Sequence, residues 1–315
     1  MKGKFVVVRL SALGDVVLVS PVLEYLSKKG EVILLTYDPF APVYEGDTRI
    51  NRILTLPRKP SIRDIVSVAD TLADMGVEVV FDLQVKPVTL LISYLLRKRG
   101  IPTVRTEKRS LRRRLHALFG LPLAYRYVPD IHLHVVSSYF GEPAPRIKPR
   151  LQPAPSPFDL PKPYVILSPE ASASLKEWDT NRFVDLAHRV AHAGYEVVWV
   201  GTRRHPEVSV GTDLRGKTDI KGLIGVISEA SALVGNDSAA VHMAYALGVP
   251  AVVIMGPTTV SFGFIPKSPS VKVVEKPLKC RPCSTNGSGR CVVGGRPCMD
   301  IQPDEVWNSL QLLLR

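Results

Sequence analysis

The residues best placed to do chemistry are Asp237, Ser238, Ala239 and Ala240, set between two apolar runs in residues 234–258 (VGNDSAAVHMAYALGVPAVVIMGPT). Ala232, Leu233 and Val234 read as the end of a strand. A helix follows to about Leu247, where Gly248 and Pro250 stop it, and residues 251–255 read as a second strand. In a parallel α/β sheet the carboxyl ends of the strands bind ligands, because helix N-termini there offer unpaired N–H groups and partial positive charge to anions. The small side chains at 238–240 would let a phosphate approach the backbone. Asp237 is itself negative in a place suited to anions, which points it at neutral groups such as sugar hydroxyls. The competing reading is that Asp237 or Ser238 only caps the helix.

A segment near the N-terminus repeats the layout. Residues 4–10 (KFVVVRL) have the continuous apolar character of a buried strand, and Ser11, Ala12, Leu13, Gly14 and Asp15 lead into a helix carrying Val16, Val17, Val19, Leu23 and Leu26 at helical spacing. Together, RLSALGDVVLVSP and the 234–258 segment resemble the pattern of glycosyltransferase family 9, the ADP-heptose:lipopolysaccharide heptosyltransferases. Leu175-Lys176-Glu177-Trp178, followed by Asn181-Arg182-Phe183, is similar to the family's Lys-x-Trp element before a helix. The resemblance runs over nearly the whole chain, with the motifs in family order.

The elements that must position these residues alternate along the chain. With 315 residues the chain is long for one hydrophobic core and suits two domains of about 150 residues each. Strands are expected at 4–10, 32–36, 52–56, 79–83 and 103–105 and helices at 16–28, 62–75 and 88–99, which makes a doubly wound parallel sheet. Residues 141–163 hold eight of the 27 prolines, so they read as an extended linker and not as helix or central strand. The second half restarts with a strand at 164–168, a helix at 181–193, a strand at 196–200 and a further pass at 220–230. An amphipathic helix over 304–314, with Pro303 in its first turn, closes the chain. The fold class is α/β, and the resemblance implies the GT-B type, two Rossmann-like domains facing a cleft. Residues 1–150 would bind the acceptor, residues 151–301 the nucleotide-sugar donor, and 302–315 would pack back on the first domain.

The resemblance implies an inverting transfer of heptose from ADP-heptose to a lipopolysaccharide inner-core acceptor, and the chemistry needs a base, a grip on the donor and charge for the leaving diphosphate. Asp15 is the expected general base, although its place at a helix start is equally that of a capping residue. Lys176, with the amides of Ser238, Ala239 and Ala240, would neutralise the diphosphate with no cofactor for catalysis. Asp237 would hold sugar hydroxyls, and His242, one turn after Ser238, would approach the phosphates or orient Asp237. Gly14 completes the N-terminal turn. Glu207 stands where the family places a ribose-binding acid, and Thr218 where it offers backbone to adenine. Two departures stand out: Ser168-Pro169-Glu170 replaces a usual glycine after the strand, which puts a negative charge near the expected diphosphate, and Ser238-Ala239-Ala240 replaces the commoner Thr-Gly-Leu.

Charge is uneven. The net +12 implies an anionic partner, and residues 97–114 carry nine basic side chains opposed only by Glu107. They lack the interleaved aromatics of a nucleic-acid site, so no nucleic acid is expected. Arg109, Arg112 and Arg113 are the candidates for an anionic lipid-linked saccharide acceptor and transient contact with the inner membrane, with a solvated face as the plainer alternative. No run of about 18 uncharged apolar residues occurs and the N-terminus lacks a signal-peptide layout, so the reading is cytoplasmic, peripheral at most. All four cysteines, Cys280, Cys283, Cys291 and Cys298, fall in one short segment, which suggests a structural zinc site, two disulfides or free thiols, with zinc favoured in a reducing compartment. Rival functions are transfer of another sugar, a GT-B nucleotide-sugar 2-epimerase, or a non-catalytic polyanion-binding protein.

Overall fold

The computed structural model describes residues 3–203 and 207–314. They form two compact units, Met1–Lys108 with Val128–Gln152, and Arg109–Tyr127 with Pro153–Arg315. The Pro-rich residues 141–163 contain neither helix nor strand.

In the first unit, β1 (Gly3–Val8), β2 (Gly30–Tyr37), β3 (Arg52–Leu56), β4 (Val79–Asp82) and β5 (Thr103–Arg105) form a parallel sheet in the order β3-β2-β1-β4-β5. β1 is central, with Val6 opposite Ile33 on β2 and Val80 on β4. Helices cover both faces of such a sheet, so the inner strands bury both faces, which is why β1, β2 and β4 are written as near-continuous Val, Leu and Ile.

The expected helix over 16–28 is two helices, α1 (Leu13–Val17) and α2 (Ser20–Ser27). The break follows from Pro21, which has no N–H to give to the carbonyl of Val17. The Ser20 hydroxyl donates to that carbonyl at 2.9 Å, and the buried Tyr44 hydroxyl donates to Val16 and Val17 at 2.8 and 3.2 Å. Burial drives the Tyr44 phenol's pKa well upward, so it stays a donor. α3 (Ile62–Asp74) opens on a capping box between Ser61 and Asp64. After α4 (Pro87–Lys98), α5 (Ser110–Phe119) belongs to the second unit, and the chain returns to the first with α6 (Val128–Tyr139).

The second unit carries β6 (Tyr164–Ser168), β7 (Glu196–Trp199), β8 (Thr212–Asp213), β9 (Ala232–Asn236), β10 (Ala251–Met255) and β11 (Val271–Glu275) in the order β11-β10-β9-β6-β7-β8, all parallel. Its other helices are α7 (Thr180–His192), α8 (Ile220–Ser228), α9 (Ala239–Ala246) and α10 (Pro303–Gln311). Trp178, Phe183 and Trp199 stack edge to face in its core. The closing helix, expected on the first domain, packs within the second unit: Val306 and Leu310 of α10 join the core formed by α7, β10 and β11. Among the described residues no helix is long and apolar enough to cross a membrane.

Replacing Tyr44 by Phe removes the donor that serves the break between α1 and α2. Tyr44→Phe is expected to lower unfolding free energy by about 1–2 kcal/mol with the fold retained, read from urea denaturation midpoints. An unchanged midpoint would mean the carbonyls find other donors.

Candidate functional site

β9 ends on Asn236, and the chain turns through Asp237 and Ser238 into α9. Ser238 takes an extended conformation before the helix, yet its side chain makes no capping bond, and its buried hydroxyl oxygen has no hydrogen-bond partner. The capping alternative is therefore not realised here. The first N–H groups of α9 receive no side-chain oxygen from Ser238, and Ala239 and Ala240 add no bulk in front of them. This is the arrangement that receives an anion.

Asp237 does not cap the helix either. Its carboxylate meets the Lys176 ammonium at 2.8 Å and accepts the Thr258 hydroxyl at 3.1 Å, and Lys176 also donates to the Asp237 carbonyl at 3.3 Å. Both side chains are nearly buried, at 11% and 12% exposure. Burial pushes the Asp237 carboxyl up, but the Lys176 ammonium, helped by the nearby His242 and the Thr258 hydroxyl, outweighs it and holds the group below its ordinary range. His242 is itself buried on α9.

Lys176 sits in a short 3-10 turn, Ser174–Lys176, pinned on several sides. The buried Asn236 amide accepts the Trp178 N–H at 3.1 Å and donates to the Pro169 carbonyl at 2.6 Å, joining the loops after β6 and β9. Trp178 donates its indole N–H to Ile301 at 2.9 Å. Arg296 donates to the carbonyls of Ser174 and Glu177 at 2.8 and 2.9 Å. Gly287, at φ +81°, leaves room for the Lys176 stem, since a Cβ there would lie 2.5 Å from its Cγ.

The charge of Glu170, flagged in the sequence, is absorbed locally. Its carboxylate accepts from the Thr202 N–H at 2.9 Å, the Thr202 hydroxyl at 2.7 Å and the Arg203 N–H at 2.7 Å, so it staples the loop after β7. Glu207 is exposed on that loop, just beyond residues 204–206, and Thr218 is half-buried immediately before Asp219, which caps α8.

In the first unit, Asp15 stands at the third position of α1. One carboxylate oxygen pairs with Arg9 at 2.8 Å and the other accepts the Ala12 N–H at 3.2 Å, so Asp15 is both helix cap and ion-pair partner. Arg9 is also anchored by the Leu83 carbonyl. Gln84 accepts the N–H groups of Leu10 and Ser11 at 2.7 and 3.0 Å and donates to the Ser11 hydroxyl at 2.9 Å, which fixes the turn ahead of the buried Gly14. Sequence reasoning passed over Arg9, Gln84, Asn236 and Thr258. All four stand at or just beyond the carboxyl ends of strands, and that position was the available signal.

Two expectations need correction. Arg109 and Arg113 do not present their guanidinium groups to an acceptor. Arg109 is buried and donates to the Ala124 carbonyl at 2.8 Å, while Arg113 donates to the Phe262 carbonyl at 2.8 Å and lies 4.4 Å over the Phe264 ring. Arg109 closes residues 109–127 on themselves, Arg113 fastens them to the rest of the second unit, and Arg112 alone of the three is exposed. The cysteines are free thiols, Cys298 buried and the others half-buried, and burial with neighbouring thiols pushes Cys283 and Cys298 upward. Among the described residues no three His, Cys, Asp or Glu gather to hold a metal ion, so the expected tetrathiolate zinc cage is not formed. The segment instead grips the loop after β10: Cys283 donates its N–H to Pro257 at 3.1 Å, and Arg281 donates to Gly256 and Thr258 at 2.5 and 3.0 Å.

The sequence profile described as "Glycosyltransferase family 9 (heptosyltransferase)" matches residues 113–290. Lipopolysaccharide heptosyltransferase 3 of Escherichia coli is 23% identical over 285 residues, 78% of this chain and 80% of that protein. The chain also superimposes on ADP-heptose LPS heptosyltransferase II of E. coli with a TM-score of 0.75 and 19% identity over 99% of this chain and 98% of the other. A family 9 glycosyltransferase of Veillonella parvula gives 0.76 and 16%, covering 100% and 98%.

The Lys176 and Asp237 pair yields a test by stability. Lys176→Met strands a buried carboxylate and is expected to cost about 3–5 kcal/mol near neutral pH, most of it recovered in Lys176→Met/Asp237→Asn. Because the wild-type Asp237 pKa is depressed, the stability it contributes is present above the ordinary carboxylate range and lost as pH falls through the depressed value. In Lys176→Met the stranded carboxyl is left to burial alone and takes up a proton more readily, so the gap should narrow as pH falls toward the ordinary carboxylate range, and further below it as wild type loses its own contribution, in urea titrations. A gap that ignores both pH and the second substitution would assign the loss to something other than the pair.

Proposed function

The chain belongs to glycosyltransferase family 9, the heptosyltransferases, and is a glycosyltransferase of GT-B fold; on that footing we propose that it transfers heptose from ADP-heptose to a lipopolysaccharide inner-core (Kdo/heptose-lipid A) acceptor with inversion. The observation that carries this reading is the second unit's anion site: the α9 N-terminus, the unpartnered Ser238 hydroxyl and the Lys176 ammonium next to the Asp237 carboxylate.

In this reading the ADP diphosphate enters against the N–H groups of Ser238, Ala239 and Ala240, where the helix dipole, the hydroxyl and Lys176 favour negative charge. Lys176 turns part of its charge from Asp237 to the phosphates, and Asp237 accepts hydroxyls of the sugar. His242 supports Asp237 from below. Glu207 accepts the ribose hydroxyls and the backbone at Thr218 meets adenine. Asp15, held by Arg9, takes the proton of the acceptor hydroxyl as that oxygen attacks the anomeric carbon from the face opposite ADP, and the bond to the diphosphate breaks. Negative charge grows on the leaving group, where the anion site is strongest, so the transfer is metal-independent. A lipid-linked acceptor places the enzyme at the cytoplasmic face of the inner membrane.

Calorimetric titration with ADP, ADP-heptose and UDP-sugars tests the donor, using wild type, Asp237→Ala and Asp15→Asn. ADP-heptose is expected to bind wild type and Asp15→Asn alike and Asp237→Ala more weakly, while Asp15→Asn lowers turnover by about 10²–10⁴. Binding of UDP-sugars alone would move the activity to another sugar or to an epimerase. Full turnover in Asp15→Asn would remove it as the base.

A further inference from the structure

α5 is built the wrong way round for a helix on a soluble core. Leu111, Leu115 and Leu118 recur on one face at helical spacing with Phe119 beside them, yet Leu111 is 65% exposed and Leu118 and Phe119 are each 71% exposed. Leu121, just after the helix, is exposed as well. The face that packs is the polar one: Arg113 bonds the Phe262 carbonyl and covers Phe264, and His116 meets the Phe262 ring edge-on. Arg109 closes the segment on itself through the Ala124 carbonyl, and Tyr125 ties it down by donating to the Ile265 carbonyl at 3.1 Å. The apolar face is thus presented by design of the anchoring and not by fraying of a loose helix.

The geometry points to an anionic lipid bilayer as the occupant of this face, with α5 lying in the membrane interface. The argument is charge complementarity around an apolar strip. Arg112 and Arg114 flank the Leu and Phe side chains on either side of the helix, both exposed. Leucine and phenylalanine tips enter the acyl boundary while arginines reach the phosphates above it, the layout by which interfacial helices bind. A protein partner would meet rotamer-rich arginines along both margins; a phosphate surface pairs with them anywhere along the strip. The inference rests on the reading of the acceptor as lipid-linked, and it names the surface by which the enzyme would reach that acceptor.

The test uses the full chain with vesicles of phosphatidylethanolamine and phosphatidylglycerol, compared with phosphatidylcholine vesicles, in co-sedimentation. Wild type is expected to bind the anionic vesicles, and Leu118→Ser/Phe119→Ser to bind at least about tenfold more weakly. Arg114→Glu should weaken binding too, and more so at low salt. ADP-heptose titration of the same variants is expected to match wild type, so loss of vesicle binding with donor binding intact isolates this surface from the catalytic reading. Absence of wild-type binding, or equal binding by Leu118→Ser/Phe119→Ser, would overturn the inference. A wild-type dimer that the same double substitution makes monomeric, with no vesicle binding, would overturn it in favour of a second copy of the chain.

Discussion

Burying the carboxylate of Asp237 at the end of β9 costs several kcal/mol unless a cation meets it, and the loops on that edge of the sheet are arranged to bring one. Lys176 reaches Asp237 from a different strand's loop, so its backbone must be held as firmly as the side chain it serves. Arg296 fixes the carbonyls on either side of Lys176, and Asn236 ties the loops after β6 and β9 through two bonds in opposite directions. Thr258 brings in the loop after β10. Three loops that share no sequence proximity become one rigid rim because a single buried charge requires it.

The cysteine segment gains its place in the same way. Residues 280–298 contribute main-chain and arginine bonds to the Gly256-Pro257-Thr258 turn and a glycine against the Lys176 stem. A side chain at 287 would displace Lys176, and loss of the Arg281 bonds would release Thr258 from behind Asp237. The thiols are not needed for this. The bracing runs through the backbone and the Arg281 guanidinium.

Much of this was legible in the sequence where a short-range rule governs. The alternation of apolar runs with helical spacing gave the two parallel sheets, and it set Asp15 and Asp237 at strand-to-helix turns, where the structure has them. Long-range commitments were not legible. Arg109 and Arg113 look identical to Arg112 and Arg114 as letters; only the positions of Phe262, Phe264 and Ala124 decide which guanidinium groups turn inward. Residues 109–127 carry no composition shift that would assign them to the second unit, and α10 is amphipathic enough to fit either core. Glu170 seemed to oppose a diphosphate because its partners, the N–H groups at 202 and 203, lie some thirty residues on. The break at Pro21 did stand in the sequence, since a proline five residues into an apolar helix has to divide it.

Both carboxylates assigned roles in the proposed function rest against a basic side chain of their own unit, Asp15 against Arg9 and Asp237 against Lys176. A carboxylate so paired keeps its charge in a partly buried site, but its lone pairs are partly committed. On the proposed function the exchange in the second unit would be direct: an arriving diphosphate would draw on the Lys176 charge, and as that ammonium is shared the oxygens of Asp237 would become better acceptors for sugar hydroxyls. The pair would therefore make phosphate binding and sugar binding mutually favourable, because each ligand group takes up what the other sets free. An ADP without its sugar would leave Asp237 half-satisfied in a buried place, and a sugar without the diphosphate would have to compete with Lys176 for the same oxygens. On that proposal one ion pair would favour the intact nucleotide sugar over its fragments, beside the contacts proposed for the helix N-terminus, Glu207 and Thr218.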